Sequence, residues 1–199
     1  MTDTAATIQP KFHHFNLKTT QLQEMIDFYR TLVGAEVIHQ FEGGAWLTND
    51  AANHRIALLA FPNFVDDPDK ETRTGMHHSA FEYASFEELN SSYLRLKEEE
   101  EITPALCLDH GMTLSYYYAD PDGNHVELQV DCFGDWARSK DWMRNSEEFK
   151  ANPIGVFVDP ERIAADHLAG VSFPEIHAKA MAGGYAPEQA PVDIPEVAS

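Results

Sequence analysis

The sequence predicts an α+β chain of two tandem βαβββ modules followed by a short helical C-terminal extension. Three observations lead there. A strand-like segment, a helical stripe and three further strand-like segments follow one another twice along the chain. Each series opens on a His-His pair, His13-His14 and His77-His78, and runs on into a helix with a capping signature. His14 and His78 stand at matching places, six and seven residues before the respective caps Thr20 and Ser85. An internal duplication explains all three.

In the first module, residues 10–61, Phe12-His13-His14-Phe15-Asn16-Leu17 reads as a strand. Thr20 with Gln23 has the pattern of a capping box. Leu22, Met25, Ile26, Tyr29, Leu32 and Val33 then repeat at helical spacing until Gly34 stops the helix. Strands are expected at 37–41, 45–48 and 55–61, with turns at Gly43-Gly44 and around Asn49-Asp50. Residues 62–74 are polar and proline-punctuated, as a linker would be.

The second module, residues 75–131, opens with a strand at 76–83 and a second capping-box pair, Ser85 with Glu88. Phe86, Leu89, Tyr93 and Leu96 form the helical stripe, which closes on an acidic, solvated helix end at 98–101. Strands are expected at 105–108, 113–118 and 125–130. The last two are joined by Asp120-Pro121-Asp122-Gly123-Asn124, a run with strong turn chemistry. Residues 132–185 make the helical extension, with helices at 135–142 and 146–151. A third is capped by Asp159, has Pro160 at its first position and runs to Gly170. Residues 186–199 hold three prolines and no periodicity, so a disordered tail is expected.

Composition narrows the classes. The 199 residues carry 14 basic and 33 acidic side chains, a net charge of −19, which disfavours nucleic acid or an anionic membrane as partner. The longest apolar run, 56–61, falls far short of a membrane span. Residues 1–10 show no signal peptide, so a cytoplasmic location is expected. Cys107 and Cys132 do not make a disulfide framework. An enzyme or a small-molecule-binding protein remains.

Alternate side chains of a strand share a face, which groups His14 with Phe12 and Asn16, and His78 with Met76 and Ala80. Pseudo-symmetric pairing of the modules would project His14 and His78 into one cavity, with His13 and His77 pointing away. Pairing Ala119 with His125 across the 120–124 turn sets Tyr117 opposite Glu127 on one face. A glutamate between Val126 and Leu128 is costly to bury unless it is paired or binds a metal. Two histidines and one carboxylate are the ligand set of a non-haem ferrous site with open positions. The corresponding strand of the first module, around Leu58, offers no fourth ligand. His125 shares the face of Glu127 at the cavity rim and is not counted as a ligand. His39, His167 and His177 have no partner pattern.

The two His-His strands, the loop Asp109-His110-Gly111 and the run Tyr117-Tyr118-Ala119-Asp120-Pro121-Asp122-Gly123-Asn124-His125-Val126-Glu127 resemble the vicinal oxygen chelate superfamily. Within it they are similar to the type I extradiol ring-cleaving dioxygenases. The resemblance spans residues 10–131 and implies two βαβββ modules around one metal-containing cavity. It further implies iron(II), with manganese(II) as the alternative, held by His14, His78 and Glu127. The substrates implied are an aromatic vicinal diol and dioxygen, in a homo-oligomeric enzyme. Asn53-His54-Arg55-Ile56-Ala57 resembles the strand bearing the family's acid–base histidine, which falls on His54. His110 and Tyr117 fall on the residues that hydrogen-bond the substrate oxygens. Phe12, Phe15, Phe81 and Trp46 are candidates for apolar walls around the ring. Only one pair of modules is present, as in the one-domain extradiol enzymes, and Asn152-Pro153-Ile154-Gly155-Val156 is similar to their tail motif. The 62–74 linker is longer than usual for the family.

Two other classes share this fold. A glyoxalase-like isomerase or epimerase would want a fourth protein ligand, which Leu58 and its neighbours do not supply. A metal-free binding module would have no need of His14, His78 and Glu127 together.

Overall fold

In the computed structural model, which describes residues 7–191, the first apolar stripe becomes one face of helix α1 (Leu22–Val33). Met25, Ile26, Tyr29 and Leu32 are buried there against Ala45, Leu47, Ile56 and Leu58. Each large apolar side chain so buried is worth roughly 1.5–3 kcal/mol. Those partners lie on β3 (Gly44–Thr48) and β4 (Ile56–Leu59), which α1 packs on. β1 (Phe15–Lys18) runs parallel to β4, and β2 (Glu36–Phe41) closes the other edge against β3, giving the order β1-β4-β3-β2. This compact unit ends at Arg73.

Two local expectations are corrected here. The first strand begins at Phe15 rather than Phe12, because its parallel partner β4 begins only at Ile56. His13 and His14 therefore precede the strand, and strand alternation does not govern them. The Thr20–Gln23 capping box is absent. α1 starts after Gln21, whose N–H is taken by the Thr19 hydroxyl (2.8 Å). The Thr20 hydroxyl donates instead to Asp66 (2.7 Å), and the Gln23 amide to Asp27 (3.1 Å).

The second unit, from Thr74 onward, repeats the order. β5 (His78–Tyr83) leads to α2 (Phe86–Glu99), then to β6 (Leu106–Asp109), β7 (Thr113–Ala119) and β8 (His125–Asp131). β5 starts at His78, later than the 76–83 reading, because its parallel partner β8 starts at His125. Here the cap forms: Ser85 accepts from the Glu88 N–H (3.3 Å), and the Glu88 carboxylate reaches back to the Ala84 N–H (3.0 Å). α2 packs on β5 and β8 through Phe86, Leu89, Tyr93 and Leu96, with Tyr93 edge-on to Tyr116. Tyr116, Tyr118, Val126 and Leu128 fill that face. Their neighbours Ser115, Tyr117 and Glu127 accordingly share the other.

The extension belongs to this same unit. It contributes α3 (Trp136–Asn145), α4 (Glu147–Ala151), α5 (Pro160–Leu168) and α6 (Phe173–Met181). Asp135, Ser146 and Asp159 cap the first three through their side chains, and of these Asp159 is the cap expected from the sequence. β9 (Val156–Phe157) adds to the sheet edge, giving the order β5-β8-β7-β6-β9. The tail expected at 186–199 lies outside the described residues from 192 onward. Among the described residues no helix is long and apolar enough to cross a membrane, and Cys107 and Cys132 are free.

Candidate active site

The turn 120–124 sets the register of the β7–β8 hairpin, with Asp120 capping it through bonds to the Asn124 N–H (2.7 Å) and side chain. Ala119 then pairs with His125, and Tyr117 lies directly opposite Glu127. On the other side of β8, the parallel strand β5 places His78 beside His125 and Ala80 beside Glu127. Three adjacent strands thus bring His78, Glu127 and Tyr117 into one row. His78 Nε2 is 3.0 Å from Glu127 Oε2, and the His78 and Tyr117 rings meet edge-on at 5.4 Å.

Glu127 is only 4% exposed, and burial by itself would push its carboxyl up. Bonds from His78, Ser115 and Tyr117 outweigh that and hold it below the usual carboxylate range. Tyr117 is pushed the opposite way, upward, by its burial first and then by the Glu127 charge, so its hydroxyl stays protonated. His110 follows the end of β6 and closes the row. Its Nε2 is 2.9 Å from the Tyr117 hydroxyl, and its Nδ1 donates to the Ile154 carbonyl.

In the first unit, His14 and His54 come together with ring centroids 4.4 Å apart. His13 joins them: its Nδ1 is 3.0 Å from His14 Nδ1, and its ring lies 5.1 Å from that of His54. The expectation that His13 points away is therefore corrected, the reason being that neither residue of the pair lies in the strand. His77 likewise precedes its strand, and its Nδ1 is 2.8 Å from His78 Nδ1. Arg55 fixes the backbone of the first cluster, donating to the His13 carbonyl (2.8 Å) while gripping Asp50 (2.9 and 2.7 Å). That guanidinium, with the Ala52 N–H, holds the Asp50 carboxyl down at about 2. Desolvation first, then His14 and His13, keeps His54 below the ordinary imidazole range. His54 Nδ1 donates to Asn53 (2.8 Å), which leaves Nε2 as its open nitrogen.

The six predicted site residues thus fall into two groups. His14 and His54 share the first unit, while His78, His110, Tyr117 and Glu127 share the second. Of the candidate aromatic walls, Phe12 is 77% exposed, and Trp46 is stacked on Phe41 and His39. His177 is also corrected, since it has a partner: its Nδ1 donates to the buried Asp109 carboxylate at 2.7 Å. Cys132 offers a third donor near this pair. Burial opposes a charge on His177, but the bond to Asp109 and its charge prevail and raise the imidazole above 6.5. α6, which carries His177, was legible in principle, because Ser172 and Glu175 form a capping box.

Residues 11–128 match the Glyoxalase/Bleomycin resistance protein/Dioxygenase superfamily. Over 176 residues the chain is 38% identical to biphenyl-2,3-diol 1,2-dioxygenase 2 of Rhodococcus globerulus, covering 88% of this chain and 91% of that protein. Biphenyl-2,3-diol 1,2-dioxygenase 3 of the same organism is 36% identical over 176 residues, covering 88% and 92%. Among solved structures, a lactoylglutathione lyase from Agrobacterium tumefaciens aligns over 62% of this chain and 96% of that one, with TM-score 0.48 and 20% identity.

Proposed function

The chain belongs to the Glyoxalase/Bleomycin resistance protein/Dioxygenase superfamily, and from that premise we propose that it is an extradiol dioxygenase, an oxidoreductase that cleaves the ring of a catechol-type diol beside its hydroxyls with dioxygen. The observation that carries the reading is the row His78, Glu127, Tyr117, His110 on one face of the second sheet. It stands beside similarity to two biphenyl-2,3-diol dioxygenases over most of the chain.

The donor set fits a divalent metal. Glu127 is a buried carboxylate with an imidazole nitrogen 3.0 Å away, a carboxylate–imidazole pair of the kind that holds a divalent cation. His14, His78 and Glu127 are the proposed ligands and iron(II) the proposed metal, with manganese(II) as the alternative. Once bound, the metal would supply open coordination positions for a bidentate diol and dioxygen.

The remaining groups handle protons. His54 accepts a hydroxyl proton at its open Nε2. Tyr117, held as a neutral phenol, donates a hydrogen bond where oxygen charge develops. His110 Nε2 lies behind the Tyr117 hydroxyl at 2.9 Å and orients that phenol.

The test is oxygen uptake by ferrous-reconstituted protein on a panel of catechols and 2,3-dihydroxybiphenyls, with Glu127→Ala as control. Uptake with a yellow ring-cleaved product, lost in the variant, is expected. Metal binding without turnover of any diol would exclude ring cleavage and point to isomerase chemistry. Failure to bind metal at all would point to a binding module.

A further inference from the structure

We propose that segment 152–157 of the C-terminal extension is a positioning device for His110, fixing the hydrogen on Nδ1 and turning Nε2 toward Tyr117. The inference rests on the proposed activity only in taking His110 as a group that meets the substrate. A carbonyl oxygen can only accept, so the bond from His110 Nδ1 to the Ile154 carbonyl requires the hydrogen on Nδ1 in either charge state. Nε2 is then the nitrogen that faces the Tyr117 hydroxyl, 2.9 Å away. Partner bonds that choose a histidine's tautomer are a recurrent way of orienting it.

The segment is built to hold that carbonyl in place. β9 pairs Val156 with Asp109 and Phe157 with Leu108, and the Val158 N–H bonds to the Cys107 carbonyl (3.1 Å). Gly155, at φ +94°, lies so close to β6 that an added Cβ would overlap the Asp109 carbonyl oxygen and come within 2.7 Å of His110 Cα. Only glycine permits both the backbone conformation and the approach. Asn152 clasps the turn from outside: its Nδ2 donates to the Gly155 carbonyl (2.7 Å), and its Oδ1 accepts the Gly155 N–H (3.1 Å). The far side of His110 is held as well. Asp109 accepts from the Gly111 N–H (2.8 Å) and from His177, and Gly111, at φ +84°, leaves no room for a side chain against the Trp142 ring.

Three variants separate this role from general stability. Asn152→Ala removes an exposed side chain and opens the clasp. Gly155→Ala forces the segment off β6. Gly170→Ala carries a comparable backbone strain, at φ +92°, with nothing within 4 Å of the added Cβ. Imidazole nitrogen spectra of the full-length, metal-free, histidine-labelled protein at alkaline pH report the tautomer, with His110 assigned from a His110→Gln spectrum. Kinetics on the most active diol give kcat and KM.

Wild type and Gly170→Ala are expected to show a single Nδ1–H form. Asn152→Ala and Gly155→Ala are expected to show mixed tautomers, with kcat lowered about 10- to 100-fold and KM changed far less. Hydrogen on Nε2 in the wild type overturns the proposal, as does an unchanged tautomer or kcat in both variants. An equal loss in Gly170→Ala overturns it too. If Gly155→Ala fails to fold, Asn152→Ala decides. If the wild type cleaves no diol, the proposed activity falls, and the spectra alone decide the positioning.

Discussion

Tyr117 shows how much chemistry one register can set. Its hydroxyl reaches His110 on one side and Glu127 on the other, and burial with the glutamate charge keeps it protonated. Tyr117→Phe removes the bond without removing the ring. Metal content should be unchanged, while kcat falls roughly 10- to 100-fold; metal analysis and steady-state kinetics check both. The variant should follow the wild type in its pH dependence on the alkaline side, because burial and the Glu127 charge push the Tyr117 hydroxyl up. The placement of Tyr117 opposite Glu127 was legible in the sequence, since a tight turn of defined length leaves the hairpin one register. His13 was not, because alternation was applied to residues lying beyond the reach of the partner strand.

The two module helices carry near-identical capping patterns and only one of them caps. Ser85 sits at the boundary of α2 and its oxygen takes the Glu88 N–H, whereas Thr20 lies one residue before the cap position of α1 and bonds to Asp66. Ser85→Ala should therefore cost about 1 kcal/mol. Thr20→Ala, which removes only an exposed bond, should cost less than about 0.5 kcal/mol. Urea unfolding of the two variants distinguishes them, and equal losses would contradict the assignment. The apolar stripes were legible because several residues at a 3.6 period outvote any single error. A cap depends on one residue, and Thr19 competes for that position.

At the scale of the whole molecule, the pair His177–Asp109 ties α6 to β6 across 68 residues of sequence. Asp109 is fully buried, and the raised imidazole means that folding favours the protonated histidine. The stability it contributes is complete below the unfolded value, about 6.5, and is lost as pH rises through the higher folded value. His177→Gln keeps a hydrogen-bond donor but cannot be charged. The variant should be less stable than wild type below the unfolded value, with the gap narrowing as pH rises through the folded one, as read from unfolding curves on either side. A gap that widened with pH would contradict the sign.

By itself the sequence determined the module duplication, the buried face of each helix and the hairpin register that joins Tyr117 to Glu127. Each of these is local: a period, a turn or two neighbouring strands encodes it within a few tens of residues. Only the tertiary structure decided that His177 pairs with Asp109, that Thr20 turns to Asp66 and that His110 rests on the Ile154 carbonyl 44 residues away. These contacts depend on where distant backbone comes to lie. The last of them leaves no mark on residue type at all, because a main-chain carbonyl is the same acceptor at every position in the chain.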